Sequence, residues 1–219
     1  MKTLYRQPGE KFASAEYLIR CREDQTDPEG LVFENQTLQK VDFENVTFRD
    51  CRFVGCRFLS CNLERTGWID CELERCDLSN SQMGKASIQR ANFQNCKLMG
   101  VSMTEAYLLE AAFTDCSCRY WNLSGSKIQR GKLLRSDLAF VGMNGCKLQK
   151  TLLKDCDLTN GELLGTSFSG MDLSDCGLAG IRLLGQELRG AKVSLLQAAQ
   201  IGVMLGGVIL QDQARDGLE

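Results

Sequence analysis

Twelve cysteines and no histidine set the limits on the chemistry this 219-residue chain can carry. Without His there is no Ser-His-Asp or Cys-His nucleophile pair, so catalysis would have to rest on carboxylates or lysines. A structural zinc site needs neighbouring Cys in a loop, completed by His or further Cys, and the close pair here is Cys116 with Cys118. A disulfide scaffold would suit a short secreted chain. The spacing points elsewhere. Cys51, Cys56, Cys61, Cys71, Cys76, Cys96, Cys116, Cys146, Cys156 and Cys176 fall on one five-residue lattice, at positions held elsewhere by Ala86, Ala91, Ala106, Ser81, Ser126 and Gly131. Residues interchangeable with Ala and Ser are packing residues, so free, buried thiols acting as small hydrophobes are expected. No catalytic residue, metal ligand or cofactor is expected.

The lattice belongs to a repeat that must position everything else. Residues 41–65 read VDFEN, VTFRD, CRFVG, CRFLS, CNLER, with Leu or Phe at each centre and a small residue two places before it. Every fifth residue from Phe33 to Val193 keeps the beat. The centres that are neither Leu nor Phe are Trp68, Met83, Ile88, Met103, Cys118, Ile128, Met143 and Val193, and none is charged. An amphipathic helix repeats every 3 to 4 residues and a half-buried strand every 2; a fixed short period instead means stacked solenoid units. One small and one large residue in each five point inward, with Phe43, Phe48, Phe53, Phe58, Leu138 and Leu158 representative of the core lattice. The other three face water, and Gly, Asn and Asp recur two places after the centre, where the chain must turn.

CDLSN (76–80), ANFQN (91–95), SDLAF (136–140), CDLTN (156–160) and MDLSD (171–175) resemble the pentapeptide repeat pattern of small, polar, Leu or Phe, and two variable residues. The resemblance covers about three quarters of the chain. It implies an all-β solenoid, a right-handed quadrilateral β-helix with four pentapeptides per coil. At ~4.8 Å between adjacent strands, about eight coils would make a rod roughly 38 Å long.

The expected organisation is an N-terminal cap (1–32), one uninterrupted β-helix (33–193) and a C-terminal element (194–219). Both prolines, Pro8 and Pro28, lie in the cap, as expected if nearly every amide of the repeat donates a hydrogen bond. The segment KFASAEYLIRC (11–21) is read as an irregular strand or partial first coil, and the β-helix is expected to begin no earlier than about Leu31. No run of about 18 apolar residues is present, and MKTLYRQPGEK lacks the apolar stretch of a signal peptide. A cytoplasmic protein without membrane contact is expected.

Two irregularities stand out. Cys118 is small at a large-residue position and Trp121 is large at a small-residue position; their volumes can compensate. Among outward positions, Tyr120 and Phe140 are one coil apart and should stack, exposed. Leu164 and Leu184 do likewise on another face, and Leu59 and Met99 lie two coils apart. Vertical apolar pairs of this kind mark either a partner surface or simple ladder packing.

After Val193, SLLQAAQIG (194–202) reads as a helix with Ser194 as N-cap and Gly202 as its stop. VMLGGVIL (203–210) reads as a strand. A helical lid would cover the open core, and an unpaired apolar strand at a solenoid end calls for another chain. A homodimer through Leu195, Leu196, Ile201, Val203, Met204, Leu205, Val208, Ile209 and Leu210 is therefore expected. The ending is similar to that of quinolone-resistance pentapeptide proteins of the Qnr type and of toxin-immunity relatives. That resemblance implies binding to DNA gyrase or topoisomerase IV, relief of drug or toxin poisoning, and imitation of duplex DNA. The chain departs from it in lacking inter-coil loop insertions and in a net charge of only −2. Asp137 and Asp157 stack, but no acidic stripe continues from them. Direct nucleic-acid binding is not expected. A generic interaction scaffold with an unrelated protein partner remains the other reading.

Overall fold

The computed structural model describes residues 11–206. Its core is a parallel right-handed β-solenoid of about 7 turns, in which residues twenty apart lie above one another. Four faces follow the chain, named here by their first centres: face 1 from Phe33, face 2 from Leu38, face 3 from Phe43 and face 4 from Phe48. Face 1 carries an eight-stranded parallel sheet running from Lys11–Phe12 through Leu31–Glu34 to Leu152–Lys154. Face 4 carries a six-stranded sheet from Thr47–Arg49 to Lys147–Gln149. Registers such as Phe33↔Phe53, Phe93↔Phe113 and Leu108↔Ile128 fix the twenty-residue step. Faces 2 and 3 are joined mainly by isolated bridges, for example Asp77↔Lys97 and Asn62↔Gln82. The seven or so turns fall short of the eight expected because the last pentapeptides pair only in part.

The centres point inward. From Phe33 to Val193 all are buried except Leu148, Leu188 and Val193, which are half-buried. The N-terminal half is aromatic: Phe33 stacks on Phe53 at 4.9 Å and Phe48 on Trp68 at 4.3 Å, with Phe43 and Phe58 edge-on at 6.3 Å. Burying each such side chain contributes roughly 1.5–3 kcal/mol. Around them the small-residue columns close the corners. All the cysteines are free and buried, and burial pushes the Cys71 and Cys176 thiols up to about 12. These two are protonated packing groups, the Cys71 Sγ–H donating to Phe48 O of the preceding coil and that of Cys176 to Asp175 Oδ1.

Each corner needs a left-handed residue, and the position two after the centre supplies it, with φ near +50 to +65° at Asn35, Asp70, Arg90 and many others. Gly55 shows why side chains are limited there: a Cβ on it would meet Asn35 Oδ1 at 2.6 Å. On faces 2 and 3 the residue before the centre is often Asp or Asn because its side chain accepts the amide two places on. Asp42 takes Glu44 N at 3.0 Å, Asp77 takes Ser79 N at 3.0 Å and Asp157 takes Thr159 N at 2.9 Å. The stacked Asp137 and Asp157 are thus turn residues.

Both ends differ from the sequence expectation. Residues Ala15–Glu23 form a helix, α1, capped by Ser14, whose Oγ accepts Tyr17 N at 3.4 Å. It plugs the N-terminal mouth with buried Leu18 and Cys21, so the expected irregular strand is reduced to Lys11–Phe12. That short strand pairs with Leu31–Val32, so the sheet begins before Leu31. At the other end the helix α2 runs Leu195–Gly206, past Gly202. Val203 to Leu205 are therefore helical rather than the start of a strand; a helix already anchored and closed by i to i−4 bonds tolerates one Gly at a cost of about 1 kcal/mol. Val208, Ile209 and Leu210 lie outside the described residues.

Candidate protein-binding surface

The corner between faces 2 and 3 gathers the candidate contact residues. Lys40, Ser60, Asn80, Gly100, Tyr120, Phe140, Asn160 and Gly180 occupy one left-handed column, and Tyr120 (φ 58°) and Phe140 (φ 62°) are the aromatic residues in it. Their rings stack at 4.7 Å and 13°, while 55% of Tyr120 and 37% of Phe140 stays exposed. Arg119 Cζ lies 5.4 Å from the Phe140 ring centre and 6.0 Å from that of Tyr120. The Asp137 carboxylate fixes the guanidinium at 3.3 Å, raising the Arg119 pKa further above neutrality. Ala139 is buried beside this cluster, although it stands at an outward place. Met99, exposed, precedes Arg119 in its column, whereas Leu59 at the far end of the same column is half-buried. A flat aromatic pair with a fixed cation suits a protein surface offering apolar and acidic groups.

Leu164 and Leu184 are both exposed on the next corner. Cys118 and Trp121 are both fully buried; the Trp121 ring packs on Phe113 at 4.9 Å. Among the described residues, Trp121 Nε1 is the buried side-chain donor without a hydrogen-bond partner. By contrast Trp68 Nε1 donates to Thr66 Oγ1 at 3.0 Å.

Along α2, Leu195 is 89% and Leu196 70% exposed, with Val203, Met204 and Leu205 also exposed. Ile201 instead packs against the core. A Cβ on Gly185 (φ 96°) would stand 3.1 Å from Leu205 Cδ1, so glycine admits the helix there. Two anchoring residues at this end escaped the sequence reading. Gln197 Oε1 accepts Ser194 N at 2.6 Å while Ser194 Oγ accepts Gln197 N at 3.3 Å, a reciprocal cap. Its Nε2 donates to Leu173 O at 2.9 Å and Cys176 O at 2.6 Å. Glu187, buried in the 3-10 turn Gln186–Leu188, accepts Gly165 N at 3.0 Å and Leu184 N at 2.9 Å. Burial would raise its pKa, but the surrounding amides outweigh that and hold the carboxyl below the usual glutamate range. The S-x-x-Q spacing at 194–197 was the available signal for the first; nothing in the repeat marks the second.

Surface charge is spent within the rod. Ion pairs join residues one coil apart: Asp70–Arg90 at 2.6 Å, Glu110–Arg130 at 2.7 Å, Asp115–Arg135 at 2.8 Å and Glu162–Arg182 at 3.0 Å.

The sequence matches "Pentapeptide repeat region" over residues 66–143 and "Pentapeptide repeats (8 copies)" over 30–65 and 136–175. The chain belongs to the pentapeptide repeat family. A search of curated protein sequences returned no match. Among solved structures this pentapeptide repeat protein is similar to a trypsin-treated form of QnrB1, a plasmid-mediated fluoroquinolone resistance protein, at 22% identity and TM-score 0.53, covering 82% of this chain and 90% of that one. HetL, a pentapeptide repeat protein involved in heterocyst differentiation regulation from Nostoc sp. strain PCC 7120, matches at 16% identity and TM-score 0.33, over 90% and 100% of the two chains. The QnrB1 likeness shows the fold.

Proposed function

We propose that this pentapeptide repeat protein binds a bacterial type II topoisomerase, DNA gyrase or topoisomerase IV, in the cytoplasm and protects it from quinolone or toxin poisoning. The observation that carries this reading is the Tyr120–Phe140 stack with Arg119 over it: two exposed aromatic rings in a left-handed corner column whose other members are Lys40, Ser60, Asn80, Gly100, Asn160 and Gly180. Paired aromatic rings that the core does not require, left exposed beside a fixed cation, favour a contact role. The fold shared with QnrB1, described as a fluoroquinolone resistance protein, supports the partner class. The rod acts by occupying a surface, and its imitation of DNA is partial. A duplex carries one negative charge per ~1.7 Å, whereas many carboxylates here are neutralised by arginines one coil away. Two rods join through α2, whose exposed Leu195, Leu196, Val203, Met204 and Leu205 lack a cover among the described residues.

The test is titration into gyrase supercoiling and fluoroquinolone-stabilised cleavage, beside the Tyr120→Ala/Phe140→Ala variant. Restored supercoiling and reduced cleavage by the natural chain, weakened in the variant, are expected. No effect on either reaction at micromolar protein would overturn the reading and leave an interaction scaffold for an unrelated protein, which the balanced surface charge also fits.

A further inference from the structure

The solenoid is not continuous all the way round. On faces 2 and 3 the coils stay bridged to the end, through Asp137↔Asp157↔Gly177 and Gly142↔Glu162↔Arg182. On faces 4 and 1 the sheets stop at Lys147–Gln149 and Leu152–Lys154, and no bridge joins either strand to the coil above among the described residues. One coil earlier, Arg130 N donates to Gln149 O at 2.8 Å and Arg135 N to Lys154 O at 2.9 Å; Lys150 and Asp155 have no such acceptor among the described residues. The next coil pairs onward instead, with Phe168 N to Glu187 O at 2.8 Å and Leu173 N to Lys192 O at 2.8 Å.

A large residue stands at the gap. Met171 occupies the small-residue column of Cys51, Cys71, Ala91, Ala111, Gly131 and Thr151, is only half-buried there, and lines the opening. The opening is a cleft of about 340 Å³ lined by Leu148, Lys150, Leu152, Ser169, Met171 and Asp172, far larger than a single water at ~30 Å³. Leu148 is half-buried here, although the face 4 centres from Phe48 to Ile128 are sealed.

We propose that this cleft takes an extended segment of a partner protein, in which apolar residues alternate with acidic ones, as an added β-strand. The open edges of the two strands supply main-chain hydrogen bonds, the part of strand addition that gives affinity. Inward side chains of the segment meet Leu148, Leu153 and Met171; outward ones meet cations. Lys132, Lys147, Lys150 and Lys154 are exposed around the two strands and make no ion pair among the described residues, whereas most arginines of the rod are paired. The acids on the same side are Asp155, which faces Arg135, Asp175 one coil above it, whose Oδ1 takes Cys176 Sγ–H at 3.5 Å, and Asp172, whose Oδ1 takes Ser174 N at 3.1 Å; the four lysines outnumber them. The surface left over is basic, which selects an acidic strand over a basic one.

A fluorescein-labelled octapeptide of alternating valine and glutamate is the probe, followed by anisotropy with the full chain. Controls are a valine-lysine octapeptide and the valine-glutamate octapeptide with alternate amides N-methylated. Saturable binding of the acidic peptide is expected, with slowed amide exchange in 148–155. It should weaken by about tenfold or more on N-methylation and in the folded Lys147→Glu/Lys150→Glu/Lys154→Glu variant, as for loss of a hydrogen-bonded or charge-paired contact. Absence of binding at millimolar chain overturns the proposal. So does binding indifferent to N-methylation, which would be charge attraction without strand addition, or equal binding of the basic peptide.

Discussion

Replacing Gln197 by Met should release α2 from the rod while leaving the rod folded. The Gln197 side chain is buried and makes three hydrogen bonds beyond the cap it receives, to Ser194 N, Leu173 O and Cys176 O. At about 1 kcal/mol net for each bond, their loss costs about 3 kcal/mol. Leu173 O keeps the Cys176 amide at 3.0 Å, but Cys176 O is left without a partner among the described residues, which adds ~1–3 kcal/mol of desolvation. Met recovers part of this through its apolar body, so a local loss of about 2–4 kcal/mol remains. Since each 1.4 kcal/mol is tenfold in an opening equilibrium, amide exchange in 198–206 should quicken by between about thirtyfold and several hundredfold. Exchange across faces 1 to 4 between 33 and 150 should stay unchanged, because a solenoid coil depends on its neighbours rather than on the whole. Hydrogen exchange read by mass spectrometry separates the two regions. Unchanged exchange in α2, or uniform quickening along the rod, would refute the view that Gln197 is a local anchor.

Leu138→Asp puts an unpaired carboxylate where Leu138 is wholly buried, and should unfold the rod or truncate its cooperative melting; normal soluble expression and an unchanged melt would contradict the register. Glu187→Gln should cost about 1.5–3 kcal/mol near neutrality, since its oxygens accept amides as an ion. Because the folded Glu187 carboxyl titrates below its ordinary value, its contribution is fully present above the unfolded pKa of about 4.3 and fades as pH falls through the folded one. Denaturant melts of Glu187→Gln and the natural chain should therefore converge on acidification; a constant gap from pH 7 to 3 would count against this assignment. A chain ending at Val193 should scatter light as a monomer while the full chain scatters as a dimer; two monomers would make α2 a lid alone.

The five-residue beat determined the interior before any coordinates. A large residue every fifth place, with a small one two before it, cannot be buried by a helix or a flat strand, and the buried centres from Phe33 to Leu183, Leu148 excepted, follow from that period alone. The Tyr120–Phe140 stack was legible for the same reason, because a twenty-residue coil places the two residues above one another. The ends were not legible. α1 forms because Leu18 and Cys21 find an open core mouth to cover, and α2 continues beyond Gly202 because Gln197 and Leu205 dock it on the last coil; both are decided by surfaces that exist only once the rod is built. The cleft at Leu148 and Leu152 lies between these cases. Met171, like Trp121, is a large residue in a small-residue column, yet MDLSD reads as an ordinary repeat; Trp121 is fully buried, while Met171 is half-buried and lines the cleft. Volume at a position is a property of the sequence, but whether the neighbouring layers close around it or give way depends on how they pack in three dimensions.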